Sequence, residues 1–237
     1  MLFLLANLFQ TVFVHADVTG TVTIQGTPKS KDQTFVAAAS GCGGSRVRTT
    51  ENWKIGPKGE LADVVVWIVD PREISTLKSV PPPKEIMLKQ LGCRYEPHVA
   101  AVQAGVPFKI INGDPTLHNV RAVAYNGPGK PRGGTLFNFG QTYQGQSDER
   151  QFDQPSIVTM ECNVHSWMQG WVRVIPHRYF AVSATDGTFA VSAGALADGD
   201  YKIDAWHSRF AQPLEQPLKV KNGVAIINFQ FDGAQSF

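Results

Sequence analysis

"MECNVHSWMQGWV", residues 160–172, spaces a cysteine, a histidine and a methionine three residues apart, in a 237-residue chain with only 3 Cys, 6 His and 4 Met. The run before it, "SIVTMEC" (156–162), has strand alternation. Val158, Met160 and Cys162 share one face, and Ile157, Thr159 and Glu161 the other, so Cys162 points inward with apolar side chains. "GWVRVI" (170–175) reads as the next strand. The connection between the two strands therefore carries His165 and Met168 beside the cysteine.

A thiolate, an imidazole and a thioether from one short loop form a soft donor set that suits copper, with zinc next. A blue-copper electron-transfer site needs a second histidine, with methionine as a long axial donor. "GDPTLHNVRAVA" (113–124) supplies a candidate. After an Asn112-Gly113-Asp114 turn, His118 alternates with Val120 and Ala122 on one strand face, while Asn119 and Arg121 take the other.

These two segments, Asp114-Pro-Thr-Leu-His118-Asn119-Val120 and Cys162-Asn-Val-His165-Ser-Trp-Met168-Gln-Gly170-Trp-Val172, together resemble the paired signature of the cupredoxins. The short spacing from His165 to Met168 is similar to that of the amicyanin-like members, and the resemblance covers residues 95–176. It implies a Greek-key β-sandwich with one type 1 copper, held by His118, Cys162 and His165 and more weakly by Met168. It further implies that Asn119 hydrogen-bonds across to the cysteine loop. An exposed edge of His165 would meet transient redox protein partners, with Pro115, Leu117 and Trp167 as candidates for the docking patch. Two departures from the family pattern are Leu117, where many members have proline, and Trp167 directly before the methionine.

Three cysteines leave one over after any single disulfide. Cys42 ("SGCGGSR") and Cys93 ("LGCRYEP") lie in loop-like, Gly-containing sequence, whereas Cys162 ends an apolar run. Pairing Cys42 with Cys93 closes a loop of about 50 residues, stabilises the fold by about 4 kcal/mol on the chain-entropy model, and leaves Cys162 free.

The first sixteen residues, "MLFLLANLFQTVFVHA", hold no acidic or basic side chain and finish on small residues, which predicts a cleaved secretory signal at 1–16 and a periplasmic or extracellular protein. No later stretch is long and apolar enough to read as a membrane helix. The charge balance, 22 Lys plus Arg against 20 Asp plus Glu, is too small and too scattered to argue for a nucleic-acid partner, and none is expected.

Beyond residue 16 the pattern is all-β. Further strands are expected at 18–24, 34–39, 62–69 and 106–111. "PKEIMLKQL" (83–91) is the best candidate for a helix or else an extended connection, and 125–155 reads as a large loop with one short strand. The domain reading is a cupredoxin-like unit with extra N-terminal strands over 17–177, then a small β-sandwich over 178–237. The second unit is marked by turns at Thr185-Asp186-Gly187, Ala197-Asp198-Gly199-Asp200 and Lys221-Asn222-Gly223, and it resembles carboxypeptidase regulatory-like or transthyretin-like modules.

The expected function is single-electron transfer, and the protein is not expected to be an enzyme: His98, His177 and His207 are too few for a further copper cluster. The alternatives are copper storage or delivery, and a structural module without metal. His98 reads as a hydrogen-bonded structural residue, and His177 and His207 as interface or surface residues.

Overall fold

The computed structural model describes residues 17–37, 42, 47–69, 86–192 and 196–237. The expected signal at 1–16 lies outside them. Nineteen strands are present among the described residues, with no α-helix, so the fold class is all-β as the sequence pattern predicts.

In chain order the first strands are β1 (Asp17–Gln25), β2 (Thr34–Val36), β3 (Val47–Thr49), β4 (Val65–Val69), β5 (Met87–Gln90) and β6 (Tyr95–Glu96). The middle of the chain gives β7 (Val99–Gln103), β8 (Phe108–Asn112), β9 (His118–Ala124), β10 (Thr135–Gln141), β11 (Ser147–Arg150), β12 (Ser156–Glu161) and β13 (Gln169–Ile175). The last are β14 (Phe180–Val182), β15 (Thr188–Ser192), β16 (Gly199–Trp206), β17 (Leu214–Val220), β18 (Ala225–Ile226) and β19 (Phe229–Asp232).

Two sandwiches result. The central one faces a five-stranded sheet, β10-β9-β12-β13-β7, against a four-stranded sheet, β11-β8-β5-β6. Its inward residues, among them Leu88, Phe108, Ile110, Val120, Ala122, Val158, Met160 and Val172, form one buried cluster, which Cys162 and Met168 join at its edge. Burial on this scale, about 25 cal/mol per Å² of apolar surface, fixes the register: a one-residue slip of β9 would turn His118, Val120 and Ala122 outward.

The second sandwich is built from both ends of the chain. β1 pairs antiparallel with β15 and parallel with β18 and β19, and β4 lies between β14 and β16. Val18, Val22, Val66, Ile68, Ile203, Phe229 and Phe231 fill its core. The outer face of β4, with Val65 and Trp67, packs on Val99, Ala101 and Ile175 of the central sandwich.

The division at residue 177 is therefore not where strand pairing breaks. β1 and β4, read as an extension of the first unit, are hydrogen-bonded to strands of the second. The reason is non-local: Val22 pairs with Phe229, and no nearby spacing reports such a contact.

Two local readings also change. Residues 87–90 of the candidate helix form β5, parallel to β8, so the extended alternative holds there. The 125–155 segment contains two strands, β10 and β11, where one short strand was expected. β11 has no apolar side chain, and β10 turns only Phe137, Phe139 and Gln141 inward, so the apolar alternation that marks a strand is weak or missing. No helix among the described residues is long and apolar enough to cross a membrane.

Candidate metal centre

Two paired strands and one turn deliver the donors. β9 begins at His118, and its neighbour β12 ends one residue before Cys162. The chain then closes tightly. Met168 N–H donates to the His165 carbonyl at 2.9 Å, and Cys162 N–H to the Met168 carbonyl at 3.2 Å. Tyr95 pins the strand end by donating its hydroxyl to the Glu161 carbonyl at 2.9 Å. Gly170 leaves little room just beyond: a Cβ there would stand 3.0 Å from the Tyr95 Cβ and 3.2 Å from the His98 carbonyl, both tight contacts.

The ligating atoms of His118, Cys162 and His165 all lie within 4.8 Å of one another. His165 Nδ1 is 3.2 Å from His118 Nδ1 and 3.6 Å from Cys162 Sγ. All three residues are buried, His118 completely and His165 to 1% exposure. Met168 is equally buried and belongs to the same apolar cluster as Cys162.

Hydrogen bonds hold each donor. His118 Nε2 sits 2.9 Å from Asp114 Oδ2. That carboxylate also accepts the N–H groups of Gly92 and Cys93, each at 2.8 Å. Gly92 and Cys93 both take positive φ, 61° and 55°, which turns their N–H groups into one anion-holding concavity. A neutral His118 that gives its Nε2 proton to Asp114 presents its Nδ1 lone pair to the other two donors.

Asn119 bridges the strand and the turn. Its backbone N–H donates to Cys162 Sγ at 3.4 Å, its Oδ1 accepts from Asn163 N–H at 3.3 Å, and its Nδ2 donates to Asn138 and to the Phe139 carbonyl.

Burial opposes ionisation of the Cys162 thiol, but hydrogen bonds from His118 and from the N–H groups of Asn119, His165 and Val164 outweigh it and lower the pKa. For His118 burial acts against protonation, and bonds with Cys162 and Asp114 raise the pKa nonetheless. His165 is lowered by burial and by His118. The donor set fits a soft cation. A thiol poised to ionise and two imidazole nitrogens face one another, a set that one soft metal ion could join.

The surroundings differ from those the resemblance implies. His165 has no exposed edge. A ring nitrogen of His165 lies within 4.8 Å of both sulfurs of a Cys42–Cys93 disulfide, and Cys93 is equally close to Asp114 and His118. The pairing expected from cysteine parity is thus present, and Cys162 is the free thiol. Trp167 packs on His165 at 5.3 Å between ring centroids, and Phe35 on Trp167 at 5.9 Å. Of the docking candidates, Pro115 and Leu117 are exposed and Trp167 is half-buried.

The other histidines stand apart from this cluster. His98, with Nδ1 3.9 Å from Glu51, is held by burial at a pKa of about 4. His207 stacks on Trp53 at 4.9 Å and is held by burial at about 3. His177 Nδ1 accepts the Tyr179 N–H at 3.3 Å. All three are buried, so the surface reading of His177 and His207 does not hold. Sequence reasoning missed Asp114 as the partner of His118; the available signal was a carboxylate four residues before the histidine, in a turn.

No protein-family model matches the chain, and no curated protein matches it either. Solved structures that match in part include a copper-containing nitrite reductase from Thermus scotoductus, 19% identical, TM-score 0.31, over 40% of this chain and 23% of that one. A purple cupredoxin from Nitrosopumilus maritimus is 21% identical, TM-score 0.33, over 38% of this chain and all of its own length. The reduced copper(I) form of an amicyanin variant is 21% identical, TM-score 0.30, over 46% and 98%. The match thus spans about a quarter of the nitrite reductase.

Proposed function

We propose that this chain is a type 1 copper protein that passes single electrons between transient redox protein partners outside the cytoplasm. The convergence of the His118, Cys162 and His165 ligating atoms within 4.8 Å in a buried site carries the reading. His118, Cys162 and His165 would be the strong ligands, with buried Met168 as the weak fourth. Copper bound there would supply a one-electron couple between Cu(I) and Cu(II).

The chain's own part is to hold the donors still. Asp114 fixes the orientation and proton of His118, and the Asn119 N–H steadies the Cys162 sulfur. The turn hydrogen bonds set Met168 against the cysteine. A rigid donor set changes little between the two charge states, which keeps the cost of electron exchange low. Trp167 and Phe35, in tilted ring contacts leading from His165, offer a packed route toward the surface, and exposed Pro115 and Leu117 form a neutral contact for a short-lived encounter. The Cys42–Cys93 disulfide fits an oxidising compartment.

The test separates a carrier from a protein that delivers copper. The copper-loaded protein is cycled repeatedly between ascorbate and an oxidant in the presence of a Cu(I) chelator. A carrier retains its copper and its visible band through the cycles. Prompt transfer to the chelator in the first reduced phase contradicts the carrier reading.

A further inference from the structure

We propose that the Cys42–Cys93 disulfide is a redox-controlled seal on the metal centre: intact, it closes the site over His165; reduced, it opens the site to solvent and to metal exchange. The inference rests on the metal reading only for what lies beneath the seal.

Position is the first argument. A disulfide placed only to staple the fold has no need to touch the site, yet here both sulfurs lie within 4.8 Å of a His165 ring nitrogen and Cys93 within 4.8 Å of His118 and Asp114. The bond spans 51 residues of sequence and ties the β2–β3 side of the chain to the β5–β6 turn. The same turn gives the Cys93 N–H to Asp114, which orients His118. Movement at Cys93 is therefore felt at a metal-facing imidazole.

Accessibility is the second. Cys93 is fully buried, whereas Cys42 is 6% exposed and lines an open hollow of about 570 Å³ with Arg48, Arg94, Glu96, Asp114 and Pro115. Two guanidinium groups and the carboxyl groups of Glu96 and Asp114 line it together, so the wall does not carry one sign of charge against a small reagent. A dithiol reductant can attack the Cys42 sulfur there. The Cys42–Cys93 bond breaks, and Cys93 leaves as thiolate and takes a proton. The reagent's second thiolate then displaces Cys42, which is protonated in turn, and the reagent becomes a cyclic disulfide. Two electrons and two protons pass to the chain, which ends with two thiols.

Some contacts beside the site do not depend on the bond. The Phe35–Trp167 contact at 5.9 Å and a half-exposed Arg94–Glu51 pair at 3.5 Å still bridge the two sides.

The experiment uses the metal-free protein, in which Cys162 is the free thiol. Alkylation of Cys162 by iodoacetamide is followed by peptide mass for oxidised wild type, dithiol-reduced wild type, reoxidised wild type and the double variant Cys42→Ala/Cys93→Ala. The seal predicts Cys162 alkylation about tenfold or more faster in the reduced protein and the double variant, with the slow rate restored on reoxidation. Equal rates in all four overturn it. Hydrogen exchange guards against a variant that fails to fold. Loss of protection confined to residues 162–168, with 120–122 and 158–160 still protected, supports a local seal; loss in both regions overturns it, since the bond then holds the fold and not the site. These rates do not depend on copper, so a protein that gives no copper band can still show the seal, and one that gives the band can lack it.

Discussion

Histidines are buried in both sandwiches, yet only in the central one do their ring nitrogens face each other. In the sandwich made from the chain ends, His207 Nδ1 accepts the Arg209 N–H and its ring lies on Trp53, while His177 Nδ1 takes the Tyr179 N–H. The Nδ1 atom of each is thus occupied by nearby backbone. In the central sandwich the His118 and His165 Nδ1 atoms stand 3.2 Å apart beside a free thiol, and the backbone N–H groups go to the sulfur and the carboxylate around them. Burial alone therefore does not mark a metal ligand. What sets the central cluster apart is the convergence of two imidazoles and a free thiol within 4.8 Å.

The comparison can be broken or sharpened by substitution. The largest effect is expected in the end-built sandwich: Phe231→Ala in β19 empties a fully buried aromatic site and should cost about 3–5 kcal/mol in denaturant unfolding. Copper stoichiometry of the protein that remains folded should not change. A parallel loss of copper binding would show that the two sandwiches are not energetically separate.

Acid should act next through the structural histidines. Unfolded histidine titrates near 6.5, whereas folded His98 and His207 titrate near 4 and 3. The unfolded chain thus binds protons that the folded protein refuses, and stability falls as pH drops from about 6.5 to about 4. Asp204, held up to about 6 chiefly by its own burial, acts in the opposite sense, as do the upward shifts of Glu51 and His118; the two deeply buried imidazoles are expected to dominate, for a net loss. Melting temperature measured across this window should decline by several degrees, and a flat profile would contradict the burial of these two imidazoles.

Asp114→Asn should weaken copper affinity by about 10- to 100-fold, because the histidine loses the carboxylate that orients it. Competition titration reads this directly, and an unchanged affinity would show that Asp114 serves the Gly92–Cys93 turn alone. The smallest effect is expected at Gly170→Ala, where the new methyl crowds Tyr95 and the His98 carbonyl, for about 1–2 kcal/mol of stability.

The site was more legible in the sequence than the fold around it. Cys162, His165 and Met168 are local, and strand alternation turns Cys162 and His118 to one side, so their meeting follows from period and order. Cys42 and Cys93 were legible by parity, but not their place against His165, because nothing in a spacing of 51 residues says what a disulfide will lie upon. β11, "SDER", carries no apolar period at all and is a strand only because β8 pairs with it. The interleaving of β1 with β19 depends on residues some 200 positions apart, beyond any local signal.

The measurement closest to the central claim is a copper(II) titration of the metal-free protein followed by visible absorption, run beside Cys162→Ser and His118→Ala. One equivalent of copper should raise an intense thiolate-to-copper band in the wild type, Cys162→Ser should abolish it, and His118→Ala should displace or weaken it. A wild type that stays colourless, or a band that survives the loss of the Cys162 sulfur, would contradict the account.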